Sequence, residues 1–139
     1  MSFVLDNSVA LAWCFEDEQT PAVMALLDRL TETGAVAPLL WPLEALNGLL
    51  AAERRRRLDA ARRAELAGFL RELPISLDPG TAERAWDATV GLAERHRLSV
   101  YDAAYLELAQ RRKLPLASLD RDLVAAALAA GVEVLASAA

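Results

Sequence analysis

Residues 2–9 read Ser2-Phe3-Val4-Leu5-Asp6-Asn7-Ser8-Val9. A run of four residues is too short for a helix, and it ends abruptly on an acid followed by two small polar side chains. This pattern reads as a short buried strand, Ser2–Leu5, that stops at Asp6 and gives way to a helix over about Val9 to Phe15. The same unit recurs at Ala35–Ala37, Ile75–Leu77, Leu116–Leu119 and Val132–Leu135, each a short apolar run. Longer helical stretches separate them. Thr20-Pro21 supplies an N-cap and a proline at the first helical position of a helix ending near Gly34. Pro42 opens another, running to about Arg56, and Asp59 caps Ala60–Glu72. Asp78-Pro79 reads as the capped start of a helix through Trp86 to about His96. Ser99 precedes a helix closed by Arg111-Arg112-Lys113, and Asp120–Ala130 forms the last, ended by Gly131. Short apolar strands alternating with longer helices imply an α/β fold of three α/β/α layers, with a central, mostly parallel, short-stranded sheet covered on both faces.

The 139 residues suit one domain spanning 1–139. The longest apolar stretch, Leu123 to Val132, falls short of the roughly 18 residues that cross a bilayer. Asp6 interrupts the first apolar run, so no signal peptide is expected. Cys14 is the single cysteine, which excludes an internal disulfide and fits a reducing compartment. These features predict a cytoplasmic protein with no membrane association. The formal charge of −5 argues against a partner gripped by bulk charge alone, such as nucleic acid. Fourteen of the fifteen bases are arginines, however, and six of them fall within Arg54 to Arg63, which argues the other way.

The placement of the acids is more informative than their number. Ligands of open parallel sheets bind beyond the carboxyl ends of the strands. Asp6 and Asp120 each end a strand, Asp102 opens a helix, and Glu44 lies in the first turn of the helix begun at Pro42. Right-handed crossovers put such junctions along one edge, so the four carboxylates can converge. Each alone is explained by the favourable interaction of an acid with a helix N-terminus, and Ser99-Val100-Tyr101-Asp102 fits a capping box. Jointly the case is stronger: Asp6, Glu44 and Asp102 sit in apolar neighbourhoods, where mutual repulsion needs a compensating cation. A hard divalent ion bound by oxygen meets that need. Zinc does not fit, because Cys14 and His96 are the only cysteine and histidine.

Four segments carry a family resemblance: Phe3-Val4-Leu5-Asp6-Asn7-Ser8, Trp41-Pro42-Leu43-Glu44-Ala45-Leu46-Asn47, Leu98-Ser99-Val100-Tyr101-Asp102-Ala103-Ala104-Tyr105 and Ala117-Ser118-Leu119-Asp120-Arg121-Asp122-Leu123. In order and spacing they resemble the acidic motifs of PIN-domain proteins, with Ser118 where threonine is more usual. The chain length is similar to that of VapC-type toxins of bacterial toxin–antitoxin pairs. The resemblance implies a PIN-like fold and a Mg²⁺- or Mn²⁺-dependent endoribonuclease. It further implies a homodimer held inactive by a cognate VapB-type antitoxin. Carried over residue by residue, Asp6, Glu44, Asp102 and Asp120 are the catalytic and metal-binding acids, with Asp122 a possible outer member.

Metal-assisted hydrolysis requires no nucleophilic side chain, consistent with the lack of a Ser–His–Asp or Cys–His set. Ser8 and Ser118 are candidates for the outer shell, Ser8 by orienting Asp6 or by capping its helix. Arg54, Arg55 and Arg56 are candidates for contact with RNA or with an acidic segment of the partner. Trp13, Trp41 and Trp86 read as core or interface anchors, and His96 as a packed or helix-terminal residue beside an apolar stripe of Ala82, Trp86 and Ala93. Two alternatives stay open. One is a PIN-like RNA-binding or regulatory module without turnover; the other is an aspartate-based phosphatase or phosphoryl-transfer domain. The latter suffers from the missing second acid in Asp6-Asn7-Ser8 and from a lone lysine, Lys113, that precedes its strand.

Overall fold

The computed structural model describes residues 1–135; residues 136–139, part of the expected single domain, lie outside the described residues. The strands are β1 (Val4–Leu5), β2 (Ala35–Pro38), β3 (Ile75–Asp78), β4 (Leu116–Ala117) and β5 (Val134–Leu135). The helices are α1 (Asn7–Ala12), α2 (Pro21–Thr33), α3 (Trp41–Arg54), α4 (Ala60–Glu72), α5 (Thr81–Arg84), α6 (Val90–His96), α7 (Val100–Arg112) and α8 (Arg121–Ala129). All strand pairs are parallel, in the order β3-β2-β1-β4-β5, with Val4 opposite both Val36 and Leu116. The five expected strands are all present, in an α/β sheet flanked by helices.

Strand order dictates where a site can form. From β1 the chain winds outward to β2 and β3, then returns through α7 to β4 on the other side of β1. The winding direction therefore reverses between β1 and β4, and a crevice opens beyond their carboxyl ends. Phe3, Val4, Leu5, Leu116 and Ala117 are fully buried beneath it. The helix α7 is the central element of the return, with every residue from Ala103 to Ala109 buried. It packs on β1, β2, β4, α6 and α8, which explains why no residue of that stretch reaches solvent.

Several helix starts follow their sequence signals. Thr20 Oγ1 accepts from Val23 N–H at 3.2 Å, Asp59 Oδ1 from Arg62 N–H at 2.8 Å, and Ser99 Oγ from Asp102 N–H at 3.1 Å. In the middle of α3 Gly48 is seated against α1: a Cβ there would stand 2.5 Å from Leu11 Cδ1. That close approach brings α3, and with it Glu44, up to the helix that follows Asp6.

Two expectations are corrected. Asp78 does not cap a helix; α5 starts after Gly80, and the Asp78 side chain is instead buried against Arg111 and Arg112. Trp13 and Trp41 are buried, but Trp86 is 87% exposed, which corrects the core half of its reading and leaves the interface half standing. The reason is a π-helical turn, Ala85–Thr89, between α5 and α6. The extra residue in that turn rotates the following residues out of phase with a 3.6-residue stripe, so Ala82 and Trp86 do not share a buried face with Ala93. Among the described residues no helix is long and apolar enough to cross a membrane.

Candidate active site

Asp6 follows β1 directly and is 4% exposed. Its backbone works for the fold: the N–H donates to Ala117 O at 3.0 Å, and the carbonyl accepts from Val9 N–H. Its side chain makes no capping bond to α1. Instead Oδ2 accepts two hydroxyl protons, from Ser8 Oγ at 2.6 Å and Ser118 Oγ at 2.8 Å. Each serine oxygen in turn accepts a backbone N–H, Ser8 from Leu119 at 2.9 Å and Ser118 from Asp120 at 3.1 Å. With its acceptor role taken by an N–H, each hydroxyl has one proton to give, and both give it to the same carboxylate oxygen. This network stitches the end of β1 to the end of β4 across the crevice, and explains why β4 stops at Ala117. Among the described residues Asp6 Oδ1 receives no protein hydrogen bond.

Asp120 is the N-cap of α8, its Oδ1 accepting from Leu123 N–H at 2.9 Å. Asp102 lies in the first turn of α7 and is half-buried. Glu44 lies in the first turn of α3, and its Oε1 accepts from the hydroxyl of Tyr105 at 2.7 Å. Tyr105 is fully buried one turn beyond Asp102, so α7 supplies both an acid and the group that holds a second acid from α3.

Electrostatics bind the four together. Burial pushes the Asp6 carboxyl upward, the Ser8 and Ser118 hydroxyls oppose it, and the charges of Glu44 and Asp120 add to the rise. Glu44 is raised by burial, eased by Tyr105, and raised again by Asp102. Asp102 is pushed up to about 6 by burial and by Asp120 and Asp6, with Ser99 partly offsetting and Asp122 adding. The Tyr105 hydroxyl is driven far above its ordinary range by burial and by Glu44, so it remains a neutral donor.

Asp78 supplies the contrast. It too is buried at the carboxyl end of a strand, and burial alone would raise its pKa. Hydrogen bonds from Arg111, Gly80 N–H and Arg112 outweigh that and hold it below the usual carboxylate range. Among the described residues none of Asp6, Glu44, Asp102 and Asp120 pairs with an arginine or lysine. One edge of the sheet thus holds an acid already neutralised, and four that are not.

The donor set consists of carboxylate oxygens, the set that suits Mg²⁺ or Mn²⁺. Among the described residues no three His, Cys, Asp or Glu side chains stand close enough to hold one ion together. Mg²⁺ commonly takes one or two carboxylates and keeps several waters. The residues therefore fit such an ion, with water completing its shell.

The remaining candidates separate. Asp122 is exposed in the first turn of α8, near enough for its charge to reach Asp102. Arg54, Arg55 and Arg56 are exposed and make no ion pair among the described residues, but Arg54 lies ten residues along α3 from Glu44, roughly 15 Å of helix. Arg57 pairs with Asp17 and Glu18, Arg62 with Glu65 and Arg63 with Glu53, so half the basic cluster is spent within the fold. Cys14 is buried, its thiol pushed up to about 11 by burial. Tyr105 escaped the sequence reading as a functional residue. The signal was its position, three residues after Asp102 and hence on the same helical face.

The PIN domain family model matches residues 3–129. No curated protein matches the chain. Among solved structures, PAE2754 from Pyrobaculum aerophilum superposes with a TM-score of 0.66 at 23% identity, covering 91% of this chain and 79% of its own. FitAcB from Neisseria gonorrhoeae superposes at 0.66 and 19% identity, covering 97% and 96%. The sarcin–ricin-loop-cleaving toxin VapC20 of Mycobacterium tuberculosis superposes at 0.60 and 17% identity, covering 89% and 94%. At these identities the likeness is one of fold.

Proposed function

The chain belongs to the PIN-domain family, and from that premise we propose that it is a metal-dependent endoribonuclease that hydrolyses RNA phosphodiester bonds. We assign it the toxin role of a VapBC-type pair, as a cytoplasmic homodimer restrained by a VapB-type antitoxin. The observation that carries the chemical part is the contrast between Asp78, neutralised by two arginines, and four carboxylates left without a cation at the reversal point of the sheet. The similar fold of VapC20, a toxin that cleaves the sarcin–ricin loop, supports RNA as the substrate class.

In this reading Asp6 and Asp102 hold Mg²⁺ or Mn²⁺, and Glu44 and Asp120 complete the site through water. When bound, a divalent ion offsets phosphate charge and lowers the pKa of water. The chain's own contribution is placement. Ser8 and Ser118 saturate Asp6 Oδ2 and leave Oδ1 as its ligating oxygen. Tyr105 fixes Glu44, and the Leu123 N–H fixes Asp120 by one oxygen. Unmetallated, the four acids repel a polyanion; metallated, their sign reverses locally, which reconciles the net charge of −5 with an RNA substrate.

The test is cleavage of RNA by purified protein freed of any partner. Cutting with Mg²⁺ or Mn²⁺, its arrest by EDTA, and its loss in Asp6→Asn or Asp102→Asn proteins that remain folded are the expected results. Cleavage that survives both substitutions rejects the assignment, and RNA binding without cleavage selects the non-catalytic module.

A further inference from the structure

The four acids leave a polyanionic substrate without a grip. Among the described residues none of them pairs with a cation, Arg54–Arg56 lie at the far end of α3, and Arg111 and Arg112 are held by Asp78. The carboxyl edge of the sheet has another feature. The C-terminal end of α6 and the outer face of α8 enclose a groove of about 440 Å³, lined by His96, Arg97, Asp122, Ala125, Ala126 and Ala129.

Three observations give this groove a chemistry. It adjoins the acid site, because Asp122 on its wall lies in the first turn of α8, two residues after the N-cap Asp120. Its cation is available: Arg97 is exposed and makes no ion pair among the described residues. Its α8 side is lined by three small side chains, Ala125, Ala126 and Ala129, and by Asp122 at the end nearer the acids. Arg121, in the first turn of α8, is also exposed.

We propose that the His96–Arg97 groove is a subsite for the RNA backbone flanking the scissile bond, with the Arg97 guanidinium gripping a phosphate and His96 lending an N–H donor. The proposal rests on the nuclease reading above. It places the substrate strand along α8, past Asp122, and into the crevice at Asp120 and Asp102. An arginine fork matches a phosphate oxygen pair, so the contact orients the strand as well as attracting it.

Backbone geometry makes a clean test possible. Arg97 sits at the C-terminus of α6 with φ 55° and ψ 43°, and Lys113 sits at the C-terminus of α7 with φ 56° and ψ 46°. Both are left-handed positions that glycine occupies with less strain. Arg97→Gly and Lys113→Gly therefore each delete one positive charge without threatening the fold. They differ in place, since Lys113 lies beside Pro115 at the opposite, amino-terminal edge of β4.

The experiment measures fluorescence anisotropy of a labelled single-stranded RNA of mixed sequence with Ca²⁺ in place of Mg²⁺, which fills the acid site without supporting turnover, in chains that keep all four acids. The expected result is a several-fold loss of affinity for Arg97→Gly, with the slope of log affinity against log salt shallower by about 0.7 to 1. Lys113→Gly should stay within twofold of its parent at unchanged thermal stability. Equal losses in the two variants, or none in Arg97→Gly, overturn the proposal while leaving the nuclease reading to stand on wild-type cleavage. Absence of RNA binding by the parent overturns the proposal as well, and wild-type cleavage of RNA then shows separately whether the nuclease reading survives.

Discussion

Ser118 and Asp6 are 112 residues apart in sequence and 2.8 Å apart in space, the serine hydroxyl donating to Asp6 Oδ2. Ser118 is fully buried and also accepts the Asp120 N–H, so one oxygen serves two of the four acids. Ser118→Ala leaves the part-buried Asp120 N–H without its acceptor and Asp6 with one donor fewer. Each loss of a buried partner costs about 1–3 kcal/mol. We expect stability to fall by about that amount in chemical denaturation, and Mn²⁺ affinity, read by electron paramagnetic resonance of the free ion, to fall with it. Ser118→Thr keeps the hydroxyl and should retain Mn²⁺ binding; loss in both variants alike would show that volume, not the hydroxyl, matters there.

Asp102 makes the stability of the metal-free protein depend on pH in an unusual direction. Its folded pKa of about 6 lies above the ordinary 3.8, so between these values the folded chain binds more protons than the unfolded one. Stability from this group is full below about pH 4 and is lost as pH rises through 6. Asp6 and Glu44, also raised, act with the same sign. Asp78, held low, acts oppositely and only in more acid solution. Since Asp102 is half-exposed and solvent screens it, its share is on the order of 1 kcal/mol. Urea denaturation in EDTA should show less stability at pH 7 than at pH 5, and Asp102→Asn should flatten the difference. A profile that rises from pH 5 to 7, and is unchanged by Asp102→Asn, contradicts this account.

The strand-and-helix rhythm was legible because each strand is a short apolar run closed by a polar residue, and each crossover begins with a recognisable cap. The convergence of the acids was legible for the same reason, since parallel strands send their ends to one edge. Three features were not. The isolated capping potential of Asp78 looked like that of Asp120, and only the arrival of Arg111 from a helix 33 residues away distinguishes a neutralised acid from an available one. The π-helical turn at Ala85–Thr89 breaks the periodicity that would bury Trp86. The Tyr105 bond to Glu44 spans 61 residues and depends on how α3 and α7 pack, which no local pattern encodes.

That Tyr105 bond can be removed without disturbing the core. Tyr105→Phe retains the buried ring and deletes only the donor to Glu44 Oε1. Partners that orient metal-binding side chains commonly contribute about 10- to 100-fold to metal affinity or activity. We expect RNA cleavage to drop by at least the lower figure, and Mn²⁺ affinity to weaken. In a Glu44→Gln background the same substitution should have little further effect on Mn²⁺ binding, because the two groups act as a unit. Additive losses would mean that Tyr105 supports the site through packing alone.

Asp78 tests whether the two kinds of strand-end acid have been sorted correctly. Its carboxylate is 2% exposed and is held by Arg111 and Arg112 on α7, with Arg111 also bonded to Glu107. Asp78→Asn removes the charge that both guanidinium groups answer, and breaking a buried pair from one side costs about 3–5 kcal/mol. Arg112 is more exposed and can turn to water, so the lower end of that range is expected. Thermal denaturation should fall accordingly, while the affinity of the folded fraction for Mn²⁺ should match that of the parent. Asp6→Asn should do the reverse: it relieves repulsion among uncompensated acids, so the metal-free protein keeps its stability or gains some, while Mn²⁺ binding is lost. If Asp78→Asn instead abolished Mn²⁺ binding at unchanged stability, the division between a neutralised and an available set of carboxylates would be wrong.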